Sequence, residues 1–202
     1  MKKLLFLAVT AGALLMLGST ANAITSISAI DVVQAPTGYF TPSDSVKLSA
    51  PYYRWWNEDW GWTHSGAPFA SVGTITSASL SISAFDVDWP SGQVDNIYAY
   101  NNGVKTLLGT LSGLNNQWSY TTFVLGPEFY DDILSGLQVW MDIDSTHRFD
   151  TWAVSLAKSV LEVNGNPLPD PNPDPRVPDS GATAALLGMF MVGLGCFRRI
   201  VK

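Results

Sequence analysis

Apolar and polar residues alternate with period two along much of the middle of the chain, the spacing of a strand with one face in a core. Ala78, Leu80, Ile82 and Ala84 fall on one side of an extended backbone, with Ser79, Ser81 and Ser83 on the other. Leu137, Val139, Met141 and Ile143 alternate with Gln138, Trp140, Asp142 and Asp144. Trp152, Val154 and Leu156 repeat the pattern, and Leu161 and Val163 continue it on the opposite parity, which predicts a bulge between residues 157 and 160. Residues 94–100 and 104–108 flank Asn101-Asn102-Gly103, a turn-forming run that predicts a hairpin. Trp118, Tyr120, Phe123 and Leu125 mark another strand, residues 27–33 one more, and residues 128–135 one short helix. Many short strands separated by Gly, Asn and Pro predict an all-β fold, an antiparallel β-sandwich of jelly-roll-like form over residues 24–163.

Composition narrows the class. Of 202 residues, 47% are hydrophobic and only 14% charged, against roughly 25% charged in ordinary domains, which is not the signature of a disordered chain. A single Cys excludes a disulfide scaffold and any multi-Cys zinc module. The net charge of −6, without a Lys/Arg run, excludes nucleic acid as a partner. Residues 24–163 are more acidic still: fourteen acids against five bases leave −9.

The two ends read as address labels. Lys2 and Lys3, the apolar run at residues 4–18 and Ala21-Asn22-Ala23 have the three-part layout of a secretory signal peptide over residues 1–23. The Sec translocon and signal peptidase are then partners, and the mature chain begins at Ile24; a retained N-terminal anchor is the alternative. At the other end, residues 164–176 carry Pro167, Pro169, Pro171, Pro173 and Pro175, a spacer that cannot join a sheet ladder. Val177-Pro178-Asp179-Ser180-Gly181 follows, then sixteen uncharged residues at 182–197, closed by Arg198, Arg199 and Lys202. A helix over about residues 181–197 is at the short end of a membrane span, with its C-terminus cytoplasmic by the positive-inside rule.

This tail resembles the PEP-CTERM class of bacterial sorting signals in its VPDSG-CTERM variant, across residues 177–202. The box Val177, Pro178, Asp179, Ser180 and Gly181, the short apolar helix and the Arg198-Arg199 pair carry the likeness. The resemblance implies an exosortase-type processing enzyme as partner, an inner-membrane stage before processing, and a cell-surface or extracellular destination, often in bacteria that make exopolysaccharide. A plain single-pass anchor is the alternative. Cys196 lies within the apolar run and reads as a small buried residue. The stretch from Ser79 to Asp88, Leu108-Gly109-Thr110-Leu111-Ser112-Gly113, Trp118 and Trp152-Ala153-Val154 is similar to β-sandwich domains of sorted surface proteins, themselves like jelly-roll carbohydrate-binding modules. That likeness bears on fold rather than activity.

Two sets of residues are candidates for chemistry. Asp86 and Asp88 stand two apart, so an extended strand would point both carboxylates to one face; Asp142 and Asp144 repeat this, and Asp95 follows the turn at Pro90-Ser91-Gly92. Hard oxygen ligands suit a structural Ca²⁺, though the spacing is not that of an EF-hand, and solvated strand ends are the alternative. Acidic pairs are also what a glycosidase needs, with nothing here to set their separation. The second set is aromatic: Tyr52, Tyr53, Trp55, Trp56, Trp60 and Trp62, six rings within eleven residues. Indole faces stack on pyranose rings, and Trp56 and Trp60 are the expected ligand contacts; rings packed between the sheets are the alternative. His64 and His147 are the only imidazoles, His64 reading as a hydrogen-bonding residue at a strand end. No Ser-His-Asp set, nucleophile elbow, zinc-hydrolase motif or phosphate loop is legible.

The sequence therefore points to a non-catalytic, exported surface protein, an envelope or exopolysaccharide-matrix component that binds polysaccharide. A purely structural spacer or assembly unit is the rival, and a carbohydrate-active enzyme a third class.

Overall fold

The computed structural model describes residues 26–146 and 152–168. The expected signal peptide at 1–23, most of the Pro-rich spacer, the box at 177–181, the apolar segment at 181–197, Arg198 and Arg199 lie outside the described residues. No helix among the described residues is long and apolar enough to cross a membrane.

Among the described residues, nine strands and one α-helix follow in chain order. They are β1 (Ile27–Gln34), β2 (Arg54–Trp55), β3 (Trp60–Thr63), β4 (Val72–Phe85), β5 (Asn96–Asn101), β6 (Val104–Thr110), β7 (Trp118–Leu125), α1 (Tyr130–Ser135), β8 (Gln138–Asp142) and β9 (Ala153–Pro167). One sheet has the order β1-β9-β4-β7, with the two-residue β2 also paired to β9; the other has the order β3-β8-β5-β6. Every pairing is antiparallel. The result is a sandwich-like fold of antiparallel sheets with one short helix.

The period-two pattern decides which residues meet between the sheets. Leu80, Ile82 and Ala84 of β4 and Leu161 and Val163 of β9 face Ile97, Ala99, Val139 and Met141 of the second sheet's strands, all buried in one core. The parity switch in β9 comes from a bulge at Ala157: Lys158 pairs with Ser83, but the next pair is Leu156 with Ala84. The hairpin between β5 and β6 turns on two residues, because Asn101 is already paired with Val104. Asn102 (φ 49°) and Gly103 (φ 79°) both take the left-handed conformation that such a turn requires.

The aromatic run becomes β2, a turn and β3. Trp60 and Trp62, on alternate positions of β3, point inward and are buried. Trp60 meets Phe40 edge-on at 5.0 Å and Tyr39 at 5.5 Å, and lies 4.9 Å from Trp62. Both indole N–H groups are buried without an acceptor, a cost on the order of 1–3 kcal/mol each that the rings' apolar burial must exceed.

Candidate functional site

The side chains that β3, β8, β5 and β6 turn away from the core form the candidate site. Register brings Gly61, Trp140, Tyr98 and Leu107 into one row across the four strands. Beside it run Thr63 with Gln138, and Tyr100 with Lys105. An open cleft of about 220 Å³ lies on this face, lined by Gly61, Thr63, Tyr100, Gln138 and Trp140 among others. Gly61 is required by its neighbour, because a Cβ there would lie 2.8 Å from Cε3 of Trp140 and 2.7 Å from the Val139 carbonyl oxygen. The missing side chain lets the indole rest against the sheet.

The indole is fixed from the other side. Its Nε1 donates to Asp142 Oδ1 at 2.6 Å, and the same oxygen accepts from Lys105 Nζ at 2.8 Å. Lys105 lies 4.2 Å from the Tyr98 ring centroid and 5.3 Å from that of Trp140. The ion pair neutralises itself, so the cleft presents an oriented aromatic edged by the Gln138 amide, the Thr63 hydroxyl and the Tyr100 phenol, without net charge. Such a lining suits an uncharged, hydroxyl-rich ligand with apolar C–H faces.

Neither expected ligand-contacting indole is in this cleft. Trp60 is the clear correction: at 6% exposure it packs in the core, because its parity on β3 points it inward. Trp56 is half-buried elsewhere, its backbone N–H donating to the Trp152 carbonyl at 2.9 Å. Trp55 is 44% exposed, on the two-residue strand beside β9. The outward place of Trp140 between inward Val139 and Met141 is the signal in the sequence that marks it.

The five acids also fall differently than an extended backbone would place them. Strand β4 stops at Phe85, and Asp86 takes a left-handed φ of 67°, so Asp86 and Asp88 do not share a strand face. Asp86 accepts from the Tyr53 hydroxyl at 2.5 Å and from the Asn116 N–H at 2.6 Å. Burial, then the bond to Asp86, pushes the Tyr53 phenol well above its ordinary range. Burial, then the charge of Asp86, raises the Asp88 carboxyl. Asp142 ends β8 and holds the Trp140 indole, whereas Asp144 sits in the following turn at φ 46°.

Asp95 and Asp144 do come together, fully buried. Asp95 accepts from Gln93 Nε2 on both oxygens, at 3.0 and 2.8 Å, and from the Asp144 N–H at 3.0 Å. Burial pushes Asp95 up to about 6, against those donors. Oδ2 of Asp144 is buried with no hydrogen-bond partner. Among the described residues no three His, Cys, Asp or Glu side chains are grouped to hold a metal ion, so the five-carboxylate Ca²⁺ set loses the common face that suggested it.

One constellation that spacing did not reveal is assembled by the fold. Nδ1 of His64 is 2.8 Å from Asp31 Oδ2, and its Nε2 is 2.8 Å from Ser159 Oγ. Asp31 also accepts from the Ser65 N–H at 3.1 Å. Burial lowers the His64 pKa, more than the Asp31 carboxylate raises it, so the ring is neutral: Nδ1–H donates to Asp31 and Nε2 accepts from the Ser159 hydroxyl. The order matches an acyl-transfer triad, but the surroundings do not. Ser159 is wholly buried in β9, with ladder partners Val33 on one side and Ile82 on the other, so no acyl group can reach its Oγ. The chain of bonds instead ties β1 and β9 of one sheet to the end of β3 in the other.

No family model matches the chain, and no curated protein matches it. Among solved structures it is similar to dimeric latent PorU from Porphyromonas gingivalis, with 11% identity, 74% of this chain, 14% of that one and a TM-score of 0.39. A coat protein of Tobacco streak virus matches at 14% identity over 75% of this chain and 94% of that one, with a TM-score of 0.33. A latent aurone synthase (polyphenol oxidase) matches at 12% identity, 68% of this chain, 28% of that one and a TM-score of 0.36. Likenesses this distant say nothing about what the chain does.

Proposed function

We propose that this chain is a non-catalytic, exported surface protein that binds a neutral polysaccharide through the Trp140 cleft. The carrying observation is the Trp140 indole, held by Asp142 and seated on Gly61, beside the polar groups of Thr63, Gln138 and Tyr100. A ring fixed before binding loses little conformational freedom when a sugar stacks on it. The finer architecture that goes with this reading is a jelly roll, supported by the interleaved strand orders β1-β9-β4-β7 and β3-β8-β5-β6. Export and sorting rest on the sequence: the leader at 1–23, the box at 177–181 and the Arg198-Arg199 pair support handling by Sec, signal peptidase and an exosortase-type enzyme at the inner membrane.

Affinity electrophoresis through gels containing soluble neutral polysaccharides, hydroxyethylcellulose among them, tests the binding. The wild-type chain is expected to be retarded, Trp140→Ala to lose at least about ten-fold in affinity, and Trp56→Ala to migrate as wild type. Gly61→Ala, which displaces the indole without deleting it, is expected to weaken binding as well. Unretarded wild-type protein would leave the structural-spacer reading in its place, and a Trp140→Ala variant that binds as wild type would take the binding site away from the cleft. The intact mass of protein recovered from the cell surface reports whether both ends are trimmed.

A further inference from the structure

The outer face of the β1-β9-β4-β7 sheet is built in three rows. The middle row is Val32, Val160, Ser81 and Thr122; on one side stand Gln34, Lys158, Ser83 and Tyr120, and on the other Ile30, Glu162, Ser79 and Val124. Apolar groups here are left in solvent: Val124 is 83% exposed, Tyr120 56%, Ile30 53% and Val32 45%. Lys158 and Glu162 are exposed and form no ion pair among the described residues, whereas Lys47 and Lys105 pair within the chain.

We propose that this face is a two-fold interface with a second copy of the chain. Charge chooses both the partner and the arrangement. A two-fold axis lying along the middle row places Val160 on Val160 and Val32 on Val32, and exchanges the outer rows. Lys158 of each copy then meets Glu162 of the other, and Tyr120 meets Val124. An axis parallel to the strands keeps each row over itself. Along β9 it sets Lys158 on Lys158 and Glu162 on Glu162, which like-charge repulsion disfavours; between β9 and β4 it sets them over Ser83 and Ser79 and leaves both charges unpaired. The small Ser79, Ser81 and Ser83 keep the two sheets close, in the face-to-face packing that aligned sheets adopt.

Size sets the strength. Four strands about 4.8 Å apart and eight residues long, at about 3.3 Å per residue, give a face on the order of 500 Å² per copy. Twice that area is at the low end for specific interfaces, so the dimer is weak, with a dissociation constant in the micromolar range. Stacked through these faces, the pair turns both Trp140 clefts outward on opposite sides, where each could hold a separate polysaccharide strand; that consequence alone rests on the cleft reading.

Sedimentation velocity of the full chain in non-ionic detergent, at tens of micromolar and low salt, tests the dimer. Lys158→Glu and Glu162→Lys are each expected to weaken it roughly ten-fold or more, because each puts two like-charged pairs across the axis. The double exchange Lys158→Glu/Glu162→Lys restores it, and mixing the two single variants yields a heterodimer. A monomeric wild-type chain, a dimer indifferent to either reversal, or a double exchange that stays monomeric would overturn the proposal. Lys158→Glu is expected to bind polysaccharide as wild type in single-site measurements, so failure of the dimer and failure of the cleft are read separately.

Discussion

Two polar clusters are buried in this sandwich, and they are satisfied in opposite ways. At His64, a carboxylate, a neutral imidazole and a hydroxyl form a donor–acceptor chain in which every ring nitrogen has a partner. At Asp95 and Asp144, two carboxyls share a site, and one oxygen has no partner at all. Asp31 keeps some exposure while Asp95 and Asp144 have none, and beyond that the difference is whether charge is divided among complementary groups or repeated. A buried network helps the fold only when its members are matched, so the first cluster should stabilise and the second should cost.

The largest expected effect is at His64. His64→Ala leaves Ser159 without a side-chain partner, strips Asp31 of its strongest bond and opens a cavity where the two sheets are joined, a loss of roughly 3 kcal/mol in urea unfolding. A loss well under 1 kcal/mol would mean the two clusters do not differ as described. The Asp95 cluster should respond with the opposite sign. The Asp95 carboxyl lies at about 6 in the folded chain, above its ordinary value of 3.8, so the fold binds the extra proton between those values. Stability is fullest below 3.8 and is lost as pH rises through 6, on the order of 3 kcal/mol in total. Asp144→Asn removes the neighbouring charge, keeps the shape and tolerates the left-handed backbone. It is expected to stabilise the protein by about 1 kcal/mol at pH 7.5, with the gain vanishing at pH 4, as thermal melts at the two values would show.

The pH profile sharpens the same contrast. His64 has a lowered pKa, so the unfolded chain takes up a proton near 6.5 while the folded chain does not. Its contribution is complete above 6.5 and is lost as pH falls below that value. Between pH 7 and 4 the clusters therefore oppose each other. A His64→Gln variant, weaker at pH 7, should gain stability on acidification more steeply than wild type, because only the Asp95 contribution remains. The smallest effect is expected from calcium. With both Asp95 oxygens already accepting hydrogen bonds, millimolar Ca²⁺ against chelator should move the melting temperature by no more than about one degree. A rise of several degrees would show that the free oxygen of Asp144 takes a cation.

How much of this was legible along the chain depends on the range of the interaction. The inward faces of β4, β8 and β9, the turn at Asn102-Gly103, the short helix and the bulge near residue 157 were all readable, because each is dictated by a pattern within a few residues. Trp60 was misplaced for a local reason: its parity with Trp62 marks an inward face, and a dense run of rings drew attention from that alternation. Asp86 and Asp88 were misplaced because the strand ends at Phe85, before either of them. The candidate cleft was not readable as a site, since Gly61, Tyr100 and Trp140 become neighbours only when β8 is inserted between β3 and β5.

The sequence by itself determined that strands would form, which side of several strands would be apolar, and where one hairpin turn and one short helix would fall. Alternation and turn chemistry act over a few bonds, so they survive in the linear pattern. Only the tertiary structure decided that Asp31, His64 and Ser159 would share hydrogen bonds, that Asp95 and Asp144 would crowd one another, and that Trp140 would rest on Gly61. Those meetings depend on sheet order and register. A strand's own residues leave both open, because backbone hydrogen bonding is the same whichever neighbour supplies it.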